Sequence, residues 1–521
     1  MNKQSFARYF EERFGISSEG QLTDFLSRRD GHLLLGHAID LNAMVERYGA
    51  PLEVAYCPQI GVQVDRMQGW AAEARRRSGY HGEFIYAYAT KANFAEEVVR
   101  TALEAGVHYE TSATADVIIA HQLWRQGVLS ADRWMFCNGS KDEAYIDAIV
   151  AMRAAGFERI VPVIDDIDEL EHLIARSEQP LFFGVRERHA AADVDPAHPG
   201  AERFGLLPAE IDAIARRLSD TPHTLVLYHA MVGSQMEQAE AWAARLDRSL
   251  DAYIQLRRLA PDLSMFNFGG GMPTSAYAVD FQFDYAGFLE QLMCSIQVRC
   301  ERYHEPVPAI VGEFGRYTVA SHNVFLIEVG AVKQGQGEEP WYLINGSLMV
   351  SLPDMLFVEG QQFIVLPLGG WEAPVQPVRL GGRYTCDSDD FFPRGSQPPL
   401  MLPATGERLV LAIFGVGAYQ QMIAGRGGAH HCLMPEMRRV LIERDDDAMV
   451  VREIQPQSLL RIMELLGYSN ERLEPTATRL PAMVAERTGE LPRAQRAGRR
   501  AQSLYRPRTP GSELRGRRAR L

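Results

Sequence analysis

A lysine, a run of three glycines and a glutamate followed closely by an arginine each sit at the end of a short apolar run. Lys91 closes Phe84-Ile-Tyr-Ala-Tyr-Ala-Thr-Lys91, Gly269-Gly270-Gly271 follows Asn267-Phe268, and Glu313 lies in Gly312-Glu313-Phe314-Gly315-Arg316. A lysine amine placed at a strand end can hold an aldehyde as a Schiff base. Three residues without Cβ atoms let backbone N–H groups close on a phosphate. A carboxylate can pair with a ring nitrogen, and an arginine with a phosphate. Singly, each has a plainer account: a surface lysine, a tight loop, a structural ion pair. Together, at three strand ends, they point to one site for an aldehyde-bearing phosphate.

Such a site needs a frame that brings distant strand ends together. Apolar runs recur near 84–90, 107–110, 133–137, 159–164, 180–186, 223–229, 263–268 and 308–313, with helical periods between them. Eight strand–helix alternations predict an α/β fold, a (β/α)8 TIM-type barrel, over residues 81–320. In such barrels catalytic groups gather at the C-terminal strand ends, where all three motifs fall. From residue 321 the texture becomes β-rich (His322–Lys333, Trp341–Val350, Phe363–Pro367, Leu409–Phe414) with Gly, Pro and Asp turns. Residues 321–475 are expected to form an antiparallel β domain ending in a helix near Gln457–Leu466. The N-terminal segment 1–80, with its extended piece Leu52–Tyr56, is expected to join that domain.

The chain has 521 residues and a net charge of −13. Its last segment, 476–521, holds twelve Arg against three Glu, which leaves −22 on residues 1–475. That segment is also rich in Pro, Gly and Ser, and reads as a solvated, disordered tail. An acidic body argues against nucleic acid and suits a small cationic substrate. The six cysteines form no CxxC pair, so neither a disulfide framework nor a metal site is expected. With neither a signal core nor an apolar span, the reading is a cytoplasmic protein without a membrane partner.

The motifs in order resemble the fold type III (alanine-racemase-fold) pyridoxal-phosphate decarboxylases of basic amino acids. Tyr88-Ala-Thr-Lys91-Ala-Asn93 is similar to that family's lysine motif. Gly269–Gly271, Glu313-Phe-Gly-Arg316, Cys386-Asp-Ser-Asp-Asp390 and Gly417-Ala-Tyr419 are similar to its later motifs, across about residues 50–465. Cys137-Asn-Gly139, Asn345-Gly-Ser347 and Val416–Gln420 look closest to the biosynthetic arginine decarboxylase branch.

The resemblance implies a cofactor, pyridoxal 5'-phosphate, and a set of roles. Lys91 would hold its aldehyde. Gly269, Gly270, Gly271, Arg316 and Tyr419 would hold its phosphate, helped by Ser234. Glu313 would keep the ring nitrogen protonated, which favours decarboxylation, whereas racemases of this fold carry an arginine there. Cys386 would return a proton to Cα, and Asp387, with Asp354, would face the substrate's cationic end. Cys386 and Asp387 would act in a partner's site, making a homodimer with shared sites.

One position departs from the family. Its histidine over the cofactor ring stands three residues before a serine, and here Met231 stands three before Ser234. Either Met231 packs on the ring as an apolar surface, or His229 shifts into place; His229 is as readily an unrelated core histidine. The expected activity is conversion of L-arginine to agmatine and carbon dioxide in polyamine (spermidine) synthesis. Alternatives are the same chemistry on ornithine, lysine, citrulline or diaminopimelate, or a silent homologue that regulates an active decarboxylase.

Overall fold

Alternation within the short apolar runs decides the architecture. In Phe84–Ala89, Ile85 and Ala87 face one way and join Phe136, Val163, Met265 and Val311 in a compact inner cluster. Tyr86 and Tyr88 face the other way, into the larger core shared with the helices. In the computed structural model the described residues are 4–189, 203–335, 339–358, 360–383, 386, 389–394, 397–404, 408–446 and 448–468.

The eight expected runs form Phe84–Ala89, His108–Thr111, Met135–Cys137, Ile160–Ile164, Phe182–Arg186, Thr224–His229, Met265–Asn267 and Ala309–Phe314. They close into a parallel barrel in chain order, the eighth pairing with the first through Glu313↔Ala87 and Phe314↔Tyr88.

Period two then sets what reaches the mouth of the barrel. Glu313, Asn267, His229 and Asn138 each lie two residues beyond an inner-cluster residue (Val311, Met265, Leu227 and Phe136). The same face that packs the interior therefore aims four polar side chains at one point above it.

The second domain is built around Asn323–Gln334, which pairs antiparallel with Pro340–Ile344, Leu409–Phe414 and Leu52–Tyr56. Leu52–Tyr56 enters from before the barrel, so this sheet draws on both sides of the barrel sequence. The sheet is mixed: Leu52–Tyr56 runs parallel to Arg438–Asp445, and Pro340–Ile344 parallel to Val375–Gly382. Hairpins enforce antiparallel pairing, and these strands are joined by long connections that do not. The expected run Trp341–Val350 ends as a strand at Ile344. Asn345-Gly-Ser347 breaks it, and Leu348–Ser351 turns helical.

A buried ion cluster locks this domain onto the barrel. Glu53 is fully buried and accepts from Asn323 Nδ2 (2.6 Å) and Arg439 Nε (2.9 Å). Arg439 Nη2 lies 2.6 Å from Glu97 on the barrel helix Glu96–Glu104, which directly follows the Lys91 turn. Such clusters are poor sources of net stability but hold two bodies in one register.

The described residues up to Ser458 form one compact unit, and the helix Leu459–Leu465 falls outside it. The tail expected from residue 476 lies outside the described residues. Among the described residues no helix is long and apolar enough to cross a membrane.

Candidate functional site

The inward-facing strand ends meet in a pocket of about 90 Å³ above the barrel. Lys91 enters it from a single 3-10 turn, Thr90–Ala92, just past the first strand. Its side chain is half exposed (50%) and its Nζ lies 4.0 Å from Glu110 Oε1. Facing that carboxylate raises the Lys91 pKa against the opposing effect of burial.

Two buried carboxylates share one amide. Asn138 Nδ2 donates to Glu110 Oε1 (2.8 Å) and to Glu313 Oε1 (2.9 Å), and Asn267 Nδ2 adds a bond to Glu313 Oε1 (2.7 Å). Glu110 is fully buried, and burial, reinforced by Glu313, pushes its carboxyl up to about 7 despite Lys91. For Glu313 burial acts in the same upward sense but is overcome, and its pKa is lowered. The His229 ring, 3.7 Å from Glu313 Oε2, would assist if charged, yet burial drives His229 itself down to about 4. A neutral imidazole contributes little, so Lys91 and the two amides are what keep Glu313 ionised. Among the described residues its Oε2 accepts no hydrogen bond.

The glycine loop is shaped by close approach. Gly269 and Gly271 have φ of 75° and 96°. A Cβ on Gly271 would stand 2.5 Å from Gly233 O, and one on Gly270 2.9 Å from Glu313 O. Asn267 couples this loop to the carboxylate: its Oδ1 accepts from Gly269 N (2.8 Å) while its Nδ2 holds Glu313.

Arg316 completes the opposite wall. Its Nη1 donates to Asp354 Oδ2 (2.7 Å) and to Tyr277 Oη (3.0 Å), and its Cζ sits 4.4 Å from the Tyr419 ring centroid. Arg316 is therefore paired with Asp354 and not with Glu313.

Lys91, Met231, Ser234, Gly270, Gly271, Glu313, Arg316 and Tyr419 all line the pocket, with Gly269 directly behind Met231. Both candidates for the ring contact are present. Met231 Sδ lies 3.2 Å from Gly270 N, and His229 also lines the pocket beside Glu313, both its ring nitrogens lacking a hydrogen bond among the described residues. Asp354 is buried and engaged with Arg316, away from the lining. Cys386 is part-exposed and does not line this pocket. Asp387 lies outside the described residues.

Sequence reasoning passed over Glu110, Arg186 and Tyr277, and placed Asn138 only within a motif. Arg186 ends the fifth strand, lines the pocket and lies 3.7 Å from Asp165. Glu110 and Arg186 carry one local signal, a charged side chain at or next to the end of a short strand, and Tyr277, in the turn Ser275–Tyr277, carries none.

A larger cavity, about 210 Å³, lies between the helix Phe6–Phe14 and the β domain. It is lined mainly by apolar side chains and shares Tyr277 with the site, but holds none of the groups that could do this chemistry.

Residues 67–320 match the family described as pyridoxal-dependent decarboxylase, pyridoxal binding domain. Among curated proteins, the biosynthetic arginine decarboxylase of Prochlorococcus marinus (strain MIT 9303) is 24% identical over 360 residues, covering 62% of this chain and 54% of that protein. The chain thus spans about half the length of the curated relatives it matches. Among solved structures, the biosynthetic arginine decarboxylase from Campylobacter jejuni superposes with a TM-score of 0.74 at 20% identity, covering 88% of this chain and 90% of that one. Diaminopimelate decarboxylase from M. jannaschii in co-complex with L-lysine gives 0.69 at 19% identity, covering 85% and 97%. At these identities the structural likeness is one of fold.

The residues present fit pyridoxal phosphate. A half-exposed lysine and the buried carboxylate of Glu313 line one pocket, as an aldehyde and a protonated ring nitrogen require. Beside them the glycine backbone, Arg316 and Tyr419 offer donors to a phosphate.

Proposed function

We propose that this chain, whose residues 67–320 belong to the pyridoxal-binding domain family of the pyridoxal-dependent decarboxylases, removes the α-carboxylate of a basic amino acid, foremost L-arginine, to give agmatine and carbon dioxide. The observation that carries this reading is Glu313, buried, held by the Asn138 and Asn267 amides and lining the same pocket as Lys91. Pyridoxal phosphate, when bound, supplies a protonated ring that accepts the electron pair left as the carboxylate departs. Glu313 keeps the proton on the ring nitrogen, and Asn138 and Asn267 hold Glu313 in place. Lys91 provides the amine that anchors the aldehyde. Glu110, titrating near neutral pH beside it, is suited to exchange a proton with Lys91 Nζ. Gly269–Gly271, Ser234, Arg316 and Tyr419 bind the phosphate. Met231 packs on the cofactor face where it lines the pocket.

Cys386 is assigned the return of a proton to Cα and Asp387 the cationic end of the substrate, whereas Asp354, buried and already paired with Arg316 away from the pocket, does not fit that role. Because Cys386 stands apart from the pocket of its own chain, these two roles belong to a homodimer in which each subunit completes its partner's site. Arginine is preferred because the relatives from P. marinus and C. jejuni carry that activity in their names, and because a carboxylate pairs bidentately with a guanidinium. The product would feed polyamine synthesis in the cytoplasm. The alternatives ornithine, lysine, citrulline and diaminopimelate use the same machinery.

One observation favours a second reading, a silent regulatory homologue: the Met231 thioether already occupies the Gly270 N–H that a phosphate would use. Carbon dioxide release from a panel of arginine, ornithine, lysine, citrulline and diaminopimelate separates these readings, together with borohydride fixation of the cofactor. Release from arginine with label on Lys91 is expected. Label without release from any substrate supports the silent homologue, and absence of label sinks the cofactor assignment.

A further inference from the structure

The pocket is made by two domains, and one buried side chain pins them together beside the reactive lysine. Asn93, two residues after Lys91, is 4% exposed. Its Nδ2 donates to Gly417 O (2.8 Å), across the boundary between barrel and β domain. Its Oδ1 accepts from Ala95 N (3.1 Å), and its carbonyl accepts from Tyr88 Oη (2.6 Å). The bond to Gly417 is seconded by a backbone one: Tyr419 N donates to Ala92 O (2.7 Å).

These bonds bracket a residue in an unusual conformation. Tyr419 has φ 68° and ψ −31°, a left-handed geometry that a bulky side chain keeps only where its surroundings enforce it. Its ring lies against the Arg316 guanidinium. Gly417 has no room to yield on its far side, since a Cβ there would stand 1.9 Å from Val319 O and 2.4 Å from His322 Nδ1. The segment Gly417–Tyr419 is thus clamped between the Lys91 turn and the turn after the eighth strand.

We infer that Asn93 is a positioning residue that sets Tyr419, and through it Arg316, at a fixed distance from Lys91, so that the aldehyde and phosphate ends of one ligand are held together. This rests on the pyridoxal-phosphate reading above. Asn93 touches neither end itself.

The test is a double-mutant cycle on cofactor affinity, measured by titrating the cofactor-free full chain with pyridoxal phosphate and following absorbance. Asn93→Ser keeps an oxygen for the Ala95 N–H, as serine does in turns of this kind, but cannot reach Gly417 O. Asn93→Ala is run beside it, and thermal unfolding of each cofactor-free variant checks that it folds. Losing the Gly417 bond should weaken cofactor binding by roughly three- to tenfold, the equivalent of one neutral buried hydrogen bond. In a Tyr419→Ala background the same Asn93 changes should weaken it by less than about twofold, because coupled residues are non-additive. Equal losses in both backgrounds, or no loss in either, would overturn the inference and leave the cofactor reading standing. A wild-type chain that binds no pyridoxal phosphate overturns both.

Discussion

Replacing Glu110 by Gln should change how stability depends on pH, in a direction opposite to the usual effect of a carboxylate. The Glu110 carboxyl titrates at about 7 in the folded protein against 4.5 for a free glutamate, because it is buried beside Glu313. Between those values the folded chain binds a proton that the unfolded chain has released. Stability therefore falls as pH rises from about 4.5 to 7 and is level above. At about 1.4 kcal/mol per pKa unit, the loss attributable to Glu110 is about 3 kcal/mol. Gln is isosteric, can keep the bond from Asn138 through its oxygen, and cannot ionise. His108, His229 and His322 are each driven down to about 4 by burial and contribute the opposite slope, stability rising from about 4 to 6.5. They are common to both proteins and cancel in the difference. Urea unfolding of the cofactor-free wild type and variant at pH 5, 6, 7 and 8 is the assay. The variant should gain on the wild type by roughly 2–3 kcal/mol between pH 5 and 8. Parallel pH curves would show that Glu110 is ionised throughout and would remove it as a proton partner for Lys91.

Glu313→Gln keeps the amide network largely intact but cannot hold a proton on the ring nitrogen. Turnover should drop by about a hundredfold or more while cofactor affinity moves far less; an equal loss in both would mean that Glu313 only builds the pocket. Cys386→Ala and Lys91→Ala should each be inactive alone, and Cys386→Ala should still bind the cofactor. Mixing the two and allowing subunits to exchange should restore activity, since one subunit then brings an intact lysine and its partner an intact cysteine. If the mixture stays inactive while exchange is demonstrated by mass, the shared-site dimer is wrong.

The barrel was legible because its strands are short apolar runs with helical sequence between them, and every expected run became a strand. The site was legible where a residue type is rare at its position: a lysine after an aromatic strand, three glycines in a row, a glutamate inside an apolar stretch. Glu110 was not, because His108–Thr111 is only four residues long and its alternation does not say which face turns inward. Arg316 finds Asp354 and Tyr277, partners 38 and 39 residues away, by closure of the fold and not by any local pattern. The helix Pro58–Ser78 was obscured for a different reason. Its buried face carries Gln59, Gln63, Ala71 and Ala74 among the apolar residues, and Gln63 Nε2 donates to Ser321 Oγ (3.2 Å), so the apolar stripe is diluted.

The strand Leu52–Tyr56 has a history that the folded sheet conceals. Its antiparallel neighbour begins at Asn323 and its parallel neighbour at Arg438. At a ribosome's ordinary pace the strand waits roughly a quarter of a minute to nearly a minute for the first, and longer for the second. All five of its residues are buried once paired, so during that wait it is an apolar edge open to other nascent chains. Glu53, in its middle, is a charge that a stray apolar strand cannot satisfy. Arg439 arrives late in synthesis to satisfy it, so until then the lone carboxylate disfavours a wrong partner, and afterwards the same carboxylate holds the arginine that reaches Glu97 on the barrel.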